Sequence, residues 1–153
     1  MSEPTGEPGL TDLAEIVDTF ALLGDWEQRY QYLIELGERL PPMPEALKTE
    51  DNRVKPCMST VHVAAYPDPD HPGRIRYHGD CDTAVIKGVL ALLIELCSGR
   101  AIDGIEAIDM DEVFERLQLG EHLSPNRHVG IYAIVDLMKA QARQLRAATA
   151  ATA

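Results

Sequence analysis

Cys57 lies in Asn52-Arg53-Val54-Lys55-Pro56-Cys57-Met58-Ser59-Thr60-Val61, a short polar loop that feeds directly into a strand-like run. Arg53, Lys55, Pro56 and Ser59 read as exposed loop, and the two nearby cations favour the thiolate, which is the reactive form of cysteine. A thiol so placed suits sulfur chemistry, whereas a buried cysteine is an inert apolar filler. Cys81 and Cys97 complete an odd set of three with no C-x-x-C pair, in a chain large enough to do without disulfides; the pattern predicts a reduced, cytoplasmic protein. Metal binding is the rival use of these thiols and of the five histidines, but their spacing matches no ligand set, and no resident metal is expected. Cys97 falls on an apolar helix and reads as core. His62 and His78 sit where they could face each other across a hairpin or line a solvated sheet face. A cysteine–histidine hydrolytic pair would need a base within reach of the thiol and donors for an oxyanion, neither of which the sequence specifies. Gly-rich phosphate loops and serine elbows are absent.

The elements that must position Cys57 follow from periodicity. Leu13, Ile16, Val17, Phe20 and Leu23 recur at helical spacing and end at Gly24; Asp25 and Gln28 resemble a capping box before a second helix that stops at Pro41-Pro42. Residues 41 to 51 read as an exposed connection. Thr60 to Tyr66 alternates as a strand, Pro67 to Gly73 is a long turn, and Arg74 to His78 alternates again with Ile75 and Tyr77 inward, making a hairpin. Gly79 to Thr83 is expected to break the strand, with Asp82 or Thr83 capping a helix from Ala84 to Cys97 that is apolar nearly all round and therefore central. Asp80 and Asp82, on either side of Cys81, serve as turn and cap residues or border a thiol pocket. Asp109 with Glu112 caps a short helix carrying Val113, Phe114 and Leu117, which Gly120 is expected to end. Ser124-Pro125 starts a last helix that runs to about residue 146. Arg127 falls in its first turn, where a cation opposes the macrodipole at a cost of a few tenths to about 1 kcal/mol; it is there for a partner or for a surface ion pair. A third strand is expected near Asn52 to Lys55. The predicted class is α+β, a small antiparallel sheet of about three strands packed against helices.

The 153 residues and 45% hydrophobic content suit one globular domain at 10–146, between flexible tails at 1–9 and 147–153. Fourteen basic and 25 acidic side chains give a net charge of −11, which excludes nucleic acid and anionic membrane as partners and favours a partner with a basic surface. The start lacks the basic and apolar regions of a signal peptide, and the longest apolar run is far short of a membrane span.

Taken in order, Asp25-Trp26-Glu27-Gln28-Arg29-Tyr30, Leu33 to Pro41, Asn52-Arg53-Val54-Lys55 leading to Cys57, Ser59 and Val61, Gly79-Asp80-Cys81-Asp82, Ile86-Lys87-Gly88-Val89 and Leu123 to Gly130 resemble the SufE family of sulfur-acceptor proteins, with the related CsdE proteins close by. The resemblance implies a fold like that of the iron–sulfur scaffold proteins, with Cys57 accepting persulfide sulfur from a SufS-type cysteine desulfurase and passing it toward a SufBCD-type assembly complex. Pyridoxal phosphate belongs to the desulfurase, so no cofactor is implied here. Asp82 and Arg127 match family positions near the active-site loop and the desulfurase interface, and Arg53 and Lys55 join them as candidate supports of the thiolate. Three positions depart from the family pattern. Pro56-Cys57-Met58-Ser59 stands where Gly-Cys-Gln-Ser is common, His62 where tryptophan often follows, and Cys81 where serine is often found. Cys81 thereby raises a Cys57–Cys81 link as an expectation to test. The alternatives to a sulfur carrier are a module that activates a desulfurase without carrying sulfur, a CsdE-like relay to another sulfur pathway, and an iron–sulfur scaffold dependent on all three cysteines.

Overall fold

Asp25 initiates the second helix as its spacing predicts: its carboxylate accepts the Gln28 N–H at 3.0 Å. The computed structural model describes residues 13–55, 59–123 and 125–152. Helix α1, Leu13–Leu23, is closed by Gly24 at φ +79°, and α2 spans Trp26–Arg39. The connection after α2 is more ordered than its prolines suggest. It holds a single 3₁₀ turn, Glu45–Leu47, and it buries Met43.

Strands β1 (Val61–Pro67) and β2 (Arg74–Cys81) pair antiparallel from Val61 opposite Cys81 to Pro67 opposite Ile75. Contrary to expectation, Gly79 does not break β2. A Cβ at Gly79 would lie 2.6 Å from Ile94 Cδ1, so the glycine lets a helix lie close on a strand that continues to Cys81. His62 stands opposite Asp80 and His78 opposite Ala64, so the two histidines do not form a cross-strand pair; His78 stacks instead on Tyr66, with ring centroids 4.4 Å apart. The third strand, β3, is the dipeptide Arg100–Ala101 on the far edge of β2, giving the order β1-β2-β3. Two residues are too few to show alternation, which is why this strand escapes a sequence reading.

Helix α3, Ala84–Cys97, lies between the sheet and α2, and Leu90, Leu93 and Val89 on it are almost wholly buried. The approach of α2 and α3 is close enough to exclude side chains. A Cβ on Gly88 would fall 2.0 Å from the Leu33 carbonyl oxygen, and one on Gly37 would lie 3.0 Å from the Gly88 nitrogen. Cys97, at the end of α3, fills the core as expected, and burial pushes its thiol pKa up to about 12, so it stays protonated and inert at neutral pH.

The remaining helices are α4 (Ile102–Glu106), α5 (Met110–Leu117), α6 (Leu119–His122) and α7 (Pro125–Thr152). Asp109 caps α5 by accepting the Asp111 and Glu112 N–H groups. Gln118 ends it in a left-handed conformation at φ 58°, and Gly120, the expected stop, lies inside α6. The Gln118 side chain has its own anchor, accepting a hydrogen bond from Arg29 at 3.2 Å. Helix α7 runs past the expected end near residue 146 to Thr152, because an alanine-rich segment continues a helix readily. Its apolar face, with Ile131, Ile134 and Met138, packs into the core, and the buried Tyr77 hydroxyl donates to the Met138 carbonyl at 2.7 Å. The class is therefore α+β, with an antiparallel sheet of three strands covered by helices, as the sequence predicts.

Candidate functional site

The stretch before the loop and the start of β1 form a short antiparallel ladder. The Val54 N–H donates to the Val61 carbonyl at 2.8 Å, the Val63 N–H to the Asn52 carbonyl at 2.9 Å, and Arg53 pairs with His62 as an isolated bridge. The strand expected at Asn52 to Lys55 is thus one bridge long. Residues 55–60 are bracketed by this ladder. Cys57, with Pro56 and Met58, lies outside the described residues, and so does the expected Cys57–Cys81 link.

On the far side of the bracket, Ser59 is buried at 6% exposure, which corrects its reading as exposed loop. Its hydroxyl is held in a directional relay. Arg127 Nη1 donates to Ser59 Oγ at 2.8 Å, and Thr83 Oγ1 donates to Asp82 Oδ1 at 3.2 Å. A guanidinium can only donate and a carboxylate only accept, so the 2.6 Å contact between the two hydroxyls is Ser59 donating to Thr83. The Thr60 N–H adds a bond to Asp82 Oδ1 at 3.0 Å, and the Asp82 N–H returns one to the Thr60 carbonyl at 3.2 Å. Two residues singled out from the sequence, Asp82 and Arg127, are therefore joined through two hydroxyls. Thr83 precedes α3 as its cap residue but makes no side-chain cap bond, because its hydroxyl belongs to the relay. Neither hydroxyl carries a sequence signal of this role, since serine and threonine at a strand start and a helix start have ordinary local uses.

Among the described residues, Arg53 and Lys55 are brought to Asp82 and Arg127 by no bond. Both pair with Glu50, at 3.7 and 2.7 Å, and Lys55 above all holds that carboxyl below its usual range. They form one side of an open groove of about 630 Å³ whose other lining includes His128, Val129, Tyr132 and Asp136 of α7. Val129 is 53% exposed there. Cys81, at the end of β2, is buried, with its sulfur 3.4 Å from the Thr83 nitrogen. Among the described residues no group of three or more histidine, cysteine, aspartate and glutamate side chains converges as a metal site, and no helix is long and apolar enough to cross a membrane.

Asp80, expected in a turn, sits within β2 and joins three elements through Lys48 at 3.0 Å and Lys87 at 3.3 Å. Burial pushes its pKa up, but the Lys48 and Lys87 ammonium groups and the Cys81 N–H together outweigh burial and hold the carboxyl below its ordinary value. A depressed folded-state pKa stabilises the fold fully above the unfolded value of about 3.9, and that contribution is lost as pH falls through the folded value. Asp80→Asn is expected to lower the melting temperature at about pH 7, and the gap from wild type is expected to narrow progressively as pH falls below about 3.9. A pH-independent gap in thermal melts would rule out this ion pair as its source.

A three-stranded antiparallel sheet under a helical layer, with residues 52–54 laddered onto β1 and an Arg–Ser–Thr–Asp relay beside the start of that strand, defines a small α+β protein. The chain belongs to the SufE family: residues 14–142 match that family, described as a Fe-S metabolism associated domain. An uncharacterized SufE-like protein of Rhizobium meliloti is 36% identical over 135 residues, covering 87% of this chain and 96% of the relative. Another from Rhizobium etli is 35% identical over 141 residues, covering 91% and 95%. The solution structure of a hypothetical protein from Thermus thermophilus is similar with a TM-score of 0.71 at 25% identity, covering 86% of this chain and 93% of that one. The family places the protein in iron–sulfur metabolism.

Proposed function

We propose that this protein accepts sulfane sulfur on Cys57 from a SufS-type, pyridoxal-phosphate-dependent cysteine desulfurase, stimulates that enzyme by removing its product, and passes the sulfur to a SufBCD-type scaffold. The observation that carries this reading is the bracketing of the cysteine segment. The Val54–Val61 and Val63–Asn52 bonds fix one side, and Arg127, Thr83 and Asp82 fix the other, around a cysteine in a member of a family associated with Fe–S metabolism.

In the transfer, the Cys57 thiolate attacks the outer sulfur of the donor's persulfide. The new S–S bond forms on Cys57 as the donor's own S–S bond breaks, and the donor cysteine leaves as thiolate while the transferred sulfur keeps its proton. No external oxidant and no general base are needed. Thiolate character and access govern the rate. Arg127, bonded to Ser59 two residues from Cys57, is the cation we assign to favour the thiolate, while Arg53 and Lys55 pair with Glu50. Loops carried on rigid elements are apt to present a reactive group to a partner's pocket.

Intact-mass spectrometry of wild type and Cys57→Ser, after incubation with a cysteine desulfurase and cysteine and before any reductant, tests the proposal. The expected result is an adduct of about 32 Da per sulfur on wild type and none on the variant. Faster desulfurase turnover with no adduct on either protein would replace the carrier reading with an activating module.

A further inference from the structure

The side-chain amide of Gln141, buried on α7, stands in for a peptide unit at the edge of β1. Its Oε1 accepts the Ala65 N–H at 3.0 Å, and its Nε2 donates to the Val63 carbonyl at 2.8 Å. In an antiparallel ladder with Val63 opposite Asn52, the Val63 carbonyl would take the Asn52 N–H and the Ala65 N–H would find the next carbonyl along. The chain supplies neither. The Asn52 N–H turns back to the Thr49 carbonyl at 3.2 Å, and Gln141 takes both edge groups. Nε2 also donates to Asn52 Oδ1 at 3.1 Å, while Asn52 Nδ2 donates to the Leu47 carbonyl at 2.8 Å. One carboxamide therefore ends the ladder at Asn52 and grips the residue at which it ends.

We infer that Gln141 is a positioning residue that sets the register of residues 52–54 on β1, and with it the number of residues, Cys57 among them, between the paired positions. Register is well specified when a slip would turn buried side chains outward, but this ladder is one bridge long and has few side chains to specify it. Val54, at 1% exposure, is the buried side chain that such a slip would displace. A second lock is needed, and it comes from α7. The consequence for sulfur transfer rests on the reading of Cys57 as the acceptor; the register itself does not.

The test uses the full chain with Gln141→Leu and Gln141→Glu. Amide hydrogen exchange reads the ladder at Val54 against Leu90 of α3, which reports global opening. With Gln141→Leu, protection at Val54 is expected to fall at least about tenfold more than protection at Leu90, and the rate of Cys57 alkylation by iodoacetamide, mapped by peptide mass spectrometry, to rise at least about threefold. Equal loss at Val54 and Leu90 with an unchanged alkylation rate would overturn the inference and leave Gln141 as packing alone. Should Gln141→Leu fail to fold, Gln141→Glu decides. Its carboxylate cannot donate to Val63 or Asn52 but its protonated form can, so Val54 protection relative to Leu90 is expected to recover as pH falls from about 7 to about 5; a ratio that does not move with pH overturns the assignment. A loss of ladder protection in Gln141→Leu, with wild type taking up no sulfur from a desulfurase, would uphold the register role and remove the sulfur-carrier reading separately.

Discussion

Gly88→Ala is expected to destabilise the protein by about 3 kcal/mol or more, the scale of forced overpacking in a closed core, seen as a fall of about 10 °C in melting temperature for a chain of this size. The reason is backbone rather than side-chain crowding. A methyl group at Gly88 would sit 2.0 Å from the Leu33 carbonyl oxygen and 2.4 Å from its carbon, and no rotamer change can relieve that. Helices α2 and α3 would have to separate, loosening Leu33, Leu90 and Leu93 together. Gly104→Ala is the matched control. Its Cβ would lie 3.5 Å from Arg100 Cβ, an ordinary contact, and alanine favours a helix by about 1 kcal/mol over glycine. Thermal melts of both variants check the argument. A Gly88→Ala melt within about 2 °C of wild type would mean that the helices part at little cost.

Among the residues around the cysteine segment, Arg127→Met carries the largest expected effect on activity after Cys57 itself. The guanidinium donates to Ser59 and heads the relay that ends on Asp82. Its removal frees Ser59, two residues from Cys57, and on the proposed function takes away a cation that favours the thiolate. A tenfold loss in the second-order rate of Cys57 persulfidation is expected, equivalent to about 1.4 kcal/mol in the transition state. Stability should move less, because loss of the bond to Ser59 is offset in part by removing a cation from the start of α7. Arg127→Lys keeps the charge but not the planar fork, and is expected to recover only part of the rate. Single-turnover transfer from a persulfidated desulfurase measures this. Equal rates for all three proteins would exclude Arg127 from the thiol's environment.

The sequence reading succeeds wherever one residue answers to local physics. The Asp25 and Asp109 caps, the apolar stripe of α3 and the alternation of β1 each report their own surroundings. It fails where a residue answers to something distant in the chain. Gly79 looks like a strand breaker until Ile94 is seen above it, and Gly120 looks like a helix stop although Gln118, held by Arg29, makes the turn. Ser59 looks exposed because the residue that holds its hydroxyl lies on α7. Asp82 and Arg127, which the relay joins, are legible because they belong to a motif order that resembles a family. The connecting role of Ser59, although it lies in the same motif order, and the roles of Thr83 and of Gln141, which ends the ladder, are not, because glutamine on a helix and hydroxyls beside a turn are ordinary in sequence.

The amide of Gln141 has an effect on the company the molecule keeps. A sheet's outer strand ordinarily offers bare N–H and carbonyl groups that another chain can extend, a common route to aggregation. Here residues 52–54 take the first part of the β1 edge, and one side chain from α7 takes the Val63 and Ala65 groups beyond it. The strand that follows directly on the thiol segment is thereby closed to other strands along this stretch. Crowded copies that meet along this stretch find the Val61 and Val63 carbonyls and the Val63 and Ala65 N–H groups already taken.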